Sequence, residues 1–295
     1  PERPCAWSMR RWIEKGGSVL HRCPEVSVVL GSCNPRPDFL KRAVDSLLGQ
    51  TFPHWELVLW DDGSLPPGRE ALRREAARDG RIRLFRGESN RGLGYGLNRC
   101  LERAQGRYIA RLDDDDVALP QRLERQRDFL ESHAPFQWVG SAALLLDRQG
   151  VWGVQKMPFR PEREDFLHSS PYIHPSVLFR RQALEAVGGY RESRRFLGCE
   201  DYELFFRLHR MGLRGCNLQE PLLGYWEDRD SQRKRGAARR LREAAVRWQG
   251  FRGLGLSGPR MVWGVLRPLG AALVPGAVRY RIKRRQRRLV RGQPL

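Results

Sequence analysis

The chain has 295 residues, enough to bury a substantial core in one large domain or two. With 40% apolar and 30% charged residues it is not a disordered chain, and six scattered cysteines without a C-x-x-C pair read as reduced thiols, not a disulfide frame or zinc site. The net charge of +20 is uneven: residues 231–295 hold 18 Lys or Arg against Glu243 alone, giving +17, whereas residues 1–230 carry +3.

The opening stretch "PERPCAWSMRRWIEKGG" lacks a continuous apolar core, so no secretory leader is expected. It begins at Pro1 without a Met, and the expectation is that the native N-terminus lies upstream. Residues 1–25 are set apart as an N-terminal extension. A β-branched run from Val26 to Leu30 then predicts a strand, bounded by a turn cluster with Asn34, Pro35 and Pro37. Leu40, Val44, Leu47 and Leu48 share one face of a following helix. "WELVLWDDGS" predicts a second strand ending abruptly in Asp61 and Asp62. A helix closing on Gly80, a third strand "RIRLFRG" and a Gly-rich loop running into a helix come next. "RYIARLDDDD" is a fourth strand that ends in Asp113, Asp114, Asp115 and Asp116. Alternation of this kind implies βαβ units and a mainly parallel sheet. Ligands of open α/β sheets bind beyond the carboxyl ends of the strands, where both acidic clusters fall.

Four adjacent carboxylates have several readings. They suit the N-terminus of a helix starting near Pro120, with Leu123, Gln126 and Leu130 at helical spacing. A calcium loop fails, because Val117 and Ala118 stand where a ligand and a Gly are needed. A divalent cation shared between carboxylates and a substrate's phosphates is the third reading. Two acidic clusters at one sheet edge favour a nucleotide-diphosphate site over independent helix caps. In the second half, "FQWVGSAALLLDRQG" reads as two strands or a strand and turn. Ser176–Phe179 reads as a strand before a helix stopped by Gly188 and Gly189, and "CEDYELFFRL" as an amphipathic helix opening with Glu200 and Asp201.

Five segments in order make the chain resemble the family 2 glycosyltransferases with the GT-A fold. They are "VSVVLGSCNPRPDFLKRAVDSLLGQTF", "ELVLWDDGS", "NRGLGYGLNRCLERAQGRYIARLDDDDVALPQRLERQ", "IHPSVLFRRQALEAVGGY" and "GCEDYELFFRL", together spanning about residues 25–226. The resemblance implies an inverting transfer from a nucleotide-diphosphate sugar, with UDP as nucleotide, to a glycan or lipid-linked acceptor. It implies a hexosyl- or N-acetylhexosaminyl-transferase that uses Mn²⁺ or Mg²⁺. Asp62 and Asp113 fit contacts to the nucleotide, and Asp113 and Asp115 fit the D-x-D metal pair, leaving Asp114 as a spacer. Asp201 fits the general base, with Glu200 beside it, and His174 the acceptor side. Asn34 and Asn98 fit loop positions, Asn34 on the nucleotide side, and Cys33 stands where the family often has an aromatic residue. The transferase domain is expected over residues 26–228.

Residues 229–295 form a basic tail. "AARRLREAAVRWQG" is expected to put Leu241, Ala244, Ala245 and Trp248 on one helical face. "MVWGVLRPLGAALVPGAV" is too interrupted by Arg267, Pro268 and Pro275 for a membrane span. "RYRIKRRQRRLVR" interleaves Tyr280, Ile282 and Leu289 with basic residues. Apolar wedges beside arginines suit an anionic membrane surface, which places the protein in the cytoplasm at the inner face of the membrane. The rival is a nucleic-acid- or membrane-binding basic protein with a non-catalytic nucleotide-sugar domain. A tail of this charge attracts phosphate backbones, but it carries no DNA or RNA motif, so no specific nucleic acid is expected.

Overall fold

The computed structural model describes residues 23–227, 237–270, 274 and 276–287. Strands β1 (Val26–Ser32) and β2 (Trp55–Asp61) are buried along almost their whole length, as central parallel strands covered on both faces must be. Helix α1 (Pro37–Leu48) joins them, with Pro37 in its first turn and Leu40, Ala43, Val44 and Leu47 as its buried stripe. Helix α2 (Pro66–Ala76) leads to β3 (Ile82–Arg86), and α3 (Leu93–Arg103) leads to β4 (Tyr108–Arg111). The pairs β1–β2, β2–β3 and β1–β4 are all parallel.

The second half makes the sheet mixed. After β5 (Val117–Ala118) and α4 (Arg122–Ser132), β6 (Phe136–Asp147) runs as one strand of 12 residues, and β7 (Gly150–Gln155) folds back on it. A 3-10 turn over His174–Ser176 delays β8 to Leu178–Arg180, two residues later than the sequence suggests. This strand enters between β4 and β6, antiparallel to both. Helices α5 (Arg181–Ala186) and α6 (Glu200–Arg210) precede β9 (Arg214–Trp226), which lies parallel to β6. Among the described residues the strand order is β3-β2-β1-β4-β8-β6-β9-β5, with β7 beside β6.

Alternation along the strands divides the core into two layers. Val28, Leu30, Leu57 and Leu59 meet α1, α2 and α4, while Val29, Val58 and Trp60 meet α3 and the aromatic face of α6. Among the described residues three C-terminal helices follow: α7 (Ala237–Gly253), α8 (Pro259–Gly270) and α9 (Gly276–Arg287). Val246, Phe251 and Met261 join the same buried cluster as Phe205 and Phe206. The Phe206 and Phe251 rings meet edge to face at 5.7 Å, and a Cβ on Gly250 would stand 2.3 Å from the Phe206 ring. Helix α9 lies on β7, with Tyr280 and Trp152 ring centroids 5.9 Å apart.

The expected boundary between residues 228 and 229, like Leu289, falls outside the described residues. The expected face of Leu241, Ala244, Ala245 and Trp248 is mostly exposed, with Ala244 its buried member. Arg240, Ala244, Arg247 and Phe251 form the buried row of α7, whereas Leu241 and Trp248 are 62% and 46% exposed. Arg247 is buried because its guanidinium donates to the carbonyls of Leu167, His168 and Gly264 and pairs with Glu243.

Candidate active site

The acidic run sits at the carboxyl end of β4, and cations the sequence reading did not use lie beneath it. Arg111, fully buried, donates to the Leu112 carbonyl and to Asp113 Oδ1. Arg122, also buried, reaches the Arg111 carbonyl at 2.7 Å and Gln126 Oε1 at 3.1 Å. Burial pulls its guanidinium down to about 9, with Asp116 opposing and Arg111 reinforcing that shift. Ser32 at the end of β1 donates to Asp114, so the expected spacer has a partner. Asp116 is the buried member: its Oδ1 accepts the Trp226 N–H at 2.9 Å, and its Oδ2 has no partner. Burial, then the charges of Asp113 and Asp115, push this carboxyl well above the ordinary range. Asp113 and Asp115 remain partly exposed.

Asp62 at the end of β2 is buried, and its Oδ2 accepts the N–H groups of Arg91 at 3.0 Å and Gly92 at 2.8 Å. It therefore ties the second strand to the Gly-rich loop. Asn34 adopts a left-handed φ of 52°. Its Oδ1 accepts the Leu65 N–H at 2.8 Å, which fixes the loop entering α2. Asn98 likewise brackets Tyr190, accepting its N–H and donating to its carbonyl, each at 2.8 Å.

Across the cleft, Glu200 and Asp201 open α6. Burial raises the Asp201 carboxyl above its usual range, opposed by backbone N–H groups and by the charge of Arg239. Burial raises Glu200 as well. His174 is buried beside them and pairs with Tyr190 Oη at 2.8 Å. Burial and the nearby Arg111 charge push its imidazole well below the ordinary value, so it is neutral. Asp113, His174, Glu200, Asp201, Arg239 and Lys283 all line one cleft of about 430 Å³. The structure thus brings Asp113, His174, Glu200 and Asp201 together, with Asp62, Asn34 and Asp115 outside the lining of this cleft. Arg239 and Lys283, from α7 and α9, also line it, whereas the sequence pattern assigns the basic residues of this tail to a membrane surface.

Among the described residues no group of three His, Cys, Asp or Glu side chains is arranged to hold a metal alone. Carboxylate oxygens are nonetheless the hard donors that Mg²⁺ and Mn²⁺ take, and Asp116 Oδ2 is buried without a partner beside Asp113 and Asp115. The residues fit a cation whose coordination a substrate's phosphates complete.

The sequence matches the family described as glycosyl transferase family 2 over residues 27–188. It is 37% identical over 264 residues to "Putative glycosyltransferase EpsE" of Bacillus subtilis (strain 168), covering 88% of this chain and 94% of that one. It is 27% identical, over 72% of this chain and 78% of the relative, to the UDP-Gal:alpha-D-GlcNAc-diphosphoundecaprenol beta-1,3-galactosyltransferase of Escherichia coli. The fold is similar to mannosyltransferase PcManGT from Pyrobaculum calidifontis, solved with GDP-Man and Mn²⁺. The TM-score is 0.57 at 20% identity, covering 90% of this chain and 81% of that one. The chain belongs to glycosyl transferase family 2 and is a glycosyltransferase with the GT-A fold.

Proposed function

We propose that the protein transfers a sugar from a nucleotide-diphosphate donor, a UDP-sugar, to a hydroxyl of a glycan or lipid-linked acceptor, with inversion at the anomeric carbon. The observation that carries this is the single cleft lined by Asp113 at one strand end and by His174, Glu200 and Asp201 opposite. Asp113 and Asp115 would hold Mn²⁺ or Mg²⁺, which neutralises charge growing on the departing diphosphate. Asp62 and Asn34 shape the nucleotide side by fixing the loops around it. Asp201 takes the proton as the acceptor oxygen attacks the anomeric carbon, and the bond from that carbon to the diphosphate oxygen breaks with its electron pair. Glu200 and neutral His174 frame the acceptor side. The E. coli relative, named for a UDP-sugar donor and a diphosphoundecaprenol-linked acceptor, supports this choice of substrates.

We assign the transfer to residues 26–228 and a second role to residues 229–295, docking on an anionic membrane at its inner face. Val262, Trp263 and Leu266 on α8 are about half exposed or more, as are Leu241 and Trp248 on α7, and basic residues stand beside them. No helix among the described residues is long and apolar enough to cross a membrane. Interfacial docking combines apolar burial with attraction to anionic lipids. The decisive experiment is nucleotide release over a panel of sugar nucleotides, with and without Mn²⁺. Metal-dependent release from a UDP-sugar supports the reading, and release from none, with or without acceptor glycans, overturns it.

A further inference from the structure

Helix α7 lies beyond the family-matched segment, yet it reaches the cleft. Arg239 packs on Gly198, where a Cβ would stand 2.9 Å from its Nε. Gly198 has φ +77°, a conformation that favours glycine, so the turn leaves room for the guanidinium. Three residues on, Arg242 Nε donates to the Leu197 carbonyl at 3.0 Å. The start of α7 thus grips the two residues just before Cys199, the cap of α6, and fixes a cation beside the first turn of that helix. Neighbouring arginines are engaged elsewhere: Arg240 on the Pro268 carbonyl and Arg247 on Glu243 and three carbonyls. Arg239 makes no hydrogen bond or ion pair with any described residue.

We propose that Arg239 is a positioning residue for the base, a fixed counter-charge that keeps the Asp201 carboxylate ionised within the cleft. The inference rests on the reading of Asp201 as base. The titratable groups around Asp201 are Glu200 and Tyr202 of α6, Cys199 before it, Tyr190 after α5, and Glu243 and Arg239 of α7, with Asp113, His174 and Lys283 lining the same cleft. Burial disfavours the Asp201 charge and Glu243 adds to that, while Arg239 is the side chain that most favours it. An acceptor's proton needs a carboxylate to receive it, so a base this buried depends on such a neighbour.

The test is a titration of the full chain labelled with ¹³C at aspartate carboxyls, the Asp201 signal being identified by its loss in Asp201→Asn. Arg239→Gln should move the Asp201 midpoint up by about one pH unit, and Arg239→Lys should restore most of the difference. The acid limb of nucleotide release from the donor found above should move in the same direction. At a pH below the shifted limb, release should fall about tenfold. An unmoved midpoint in Arg239→Gln overturns the proposal, and so does a raised acceptor KM with an unmoved acid limb. Near-normal transfer by Asp201→Asn would remove the base assignment itself, while the titration would still report on Arg239 independently.

Discussion

The Trp226 N–H donates to Asp116 Oδ1 at 2.9 Å, across 110 residues of chain. The end of β9 therefore holds the last aspartate of the run in place, and the next residue, Glu227, pairs with Lys283 of α9. Asp113 is held by Arg111 and Asp114 by Ser32, so the run is fixed from three strands. On the reading proposed above, carboxylates fixed in this way would lose little entropy on taking a cation and a diphosphate.

Asp115→Ala should abolish Mn²⁺-dependent donor binding and leave the fold intact, because Asp115 is partly exposed. Calorimetry with UDP and Mn²⁺ checks this, and an unchanged affinity would move the metal assignment elsewhere.

Asp201→Asn is close to isosteric and should keep donor binding while transfer falls by a factor of about 10² or more. In the wild type the carboxyl titrates above the usual range because it is buried. Activity should thus be lost as pH falls through that raised value, at a higher pH than an exposed aspartate would give. A rate profile against pH, run on both proteins, reads the two effects together.

His209 sits among Phe166, Trp138 and Tyr172, with its Nε2 2.9 Å from Tyr172 Oη, and burial pulls its imidazole down to about 4. A depressed folded value makes the stabilisation complete above the unfolded value of about 6.5 and lost as pH falls through the folded one. Stability should drop between about pH 6.5 and 4, by on the order of 3 kcal/mol from this group alone. His209→Phe should flatten that part of the profile in urea unfolding curves measured against pH. A slope identical to the wild type would show that another group, such as His174, carries it.

Much of this was legible from the residues. The β-branched runs around Val28 and Val58, with acids closing the strands, indicate the parallel half of the sheet by local pattern alone. What was not legible depended on long-range packing. Nothing near Phe136 announces that β6 pairs with β9 some eighty residues later. Helical periodicity offers α7 two faces, and it cannot show that Arg247 meets three carbonyls while Trp248 meets solvent. Asp62 and Asn34 accept hydrogen bonds from backbone N–H groups of neighbouring loops, a use open to any Asx residue and invisible in local pattern.

The C-terminal helices should contribute stability directly. Phe251→Ala removes a fully buried ring packed on Phe206 and should cost about 3–5 kcal/mol. Gly250→Ala would drive a methyl into the Phe206 ring and should also destabilise. Chemical denaturation measures both. Wild-type stability in the first variant would mean that α7 is only loosely attached.

If the exposed apolar residues dock on lipid, the full chain should sediment with anionic vesicles and much less with neutral ones. Salt should release it in part, since charges are screened over about 10 Å at 0.1 M. Trp248→Glu together with Trp263→Glu should weaken sedimentation without affecting UDP binding, because both side chains face solvent. Equal sedimentation with neutral vesicles would remove the electrostatic part, and retention on duplex DNA instead would point to a nucleic acid.

Helix α7 presents Arg239 to the cleft and Trp248 to solvent. On the reading proposed above, one rigid rod separates the chemistry from the lipid. A helix with its side chains is about 10–12 Å across, roughly the length of two sugar rings laid end to end. Such a spacer would act as a ruler. An acceptor anchored in the bilayer would bring its hydroxyl to Asp201 only if its headgroup and first sugars span that thickness, so chain length as well as sugar identity would decide which glycan is extended.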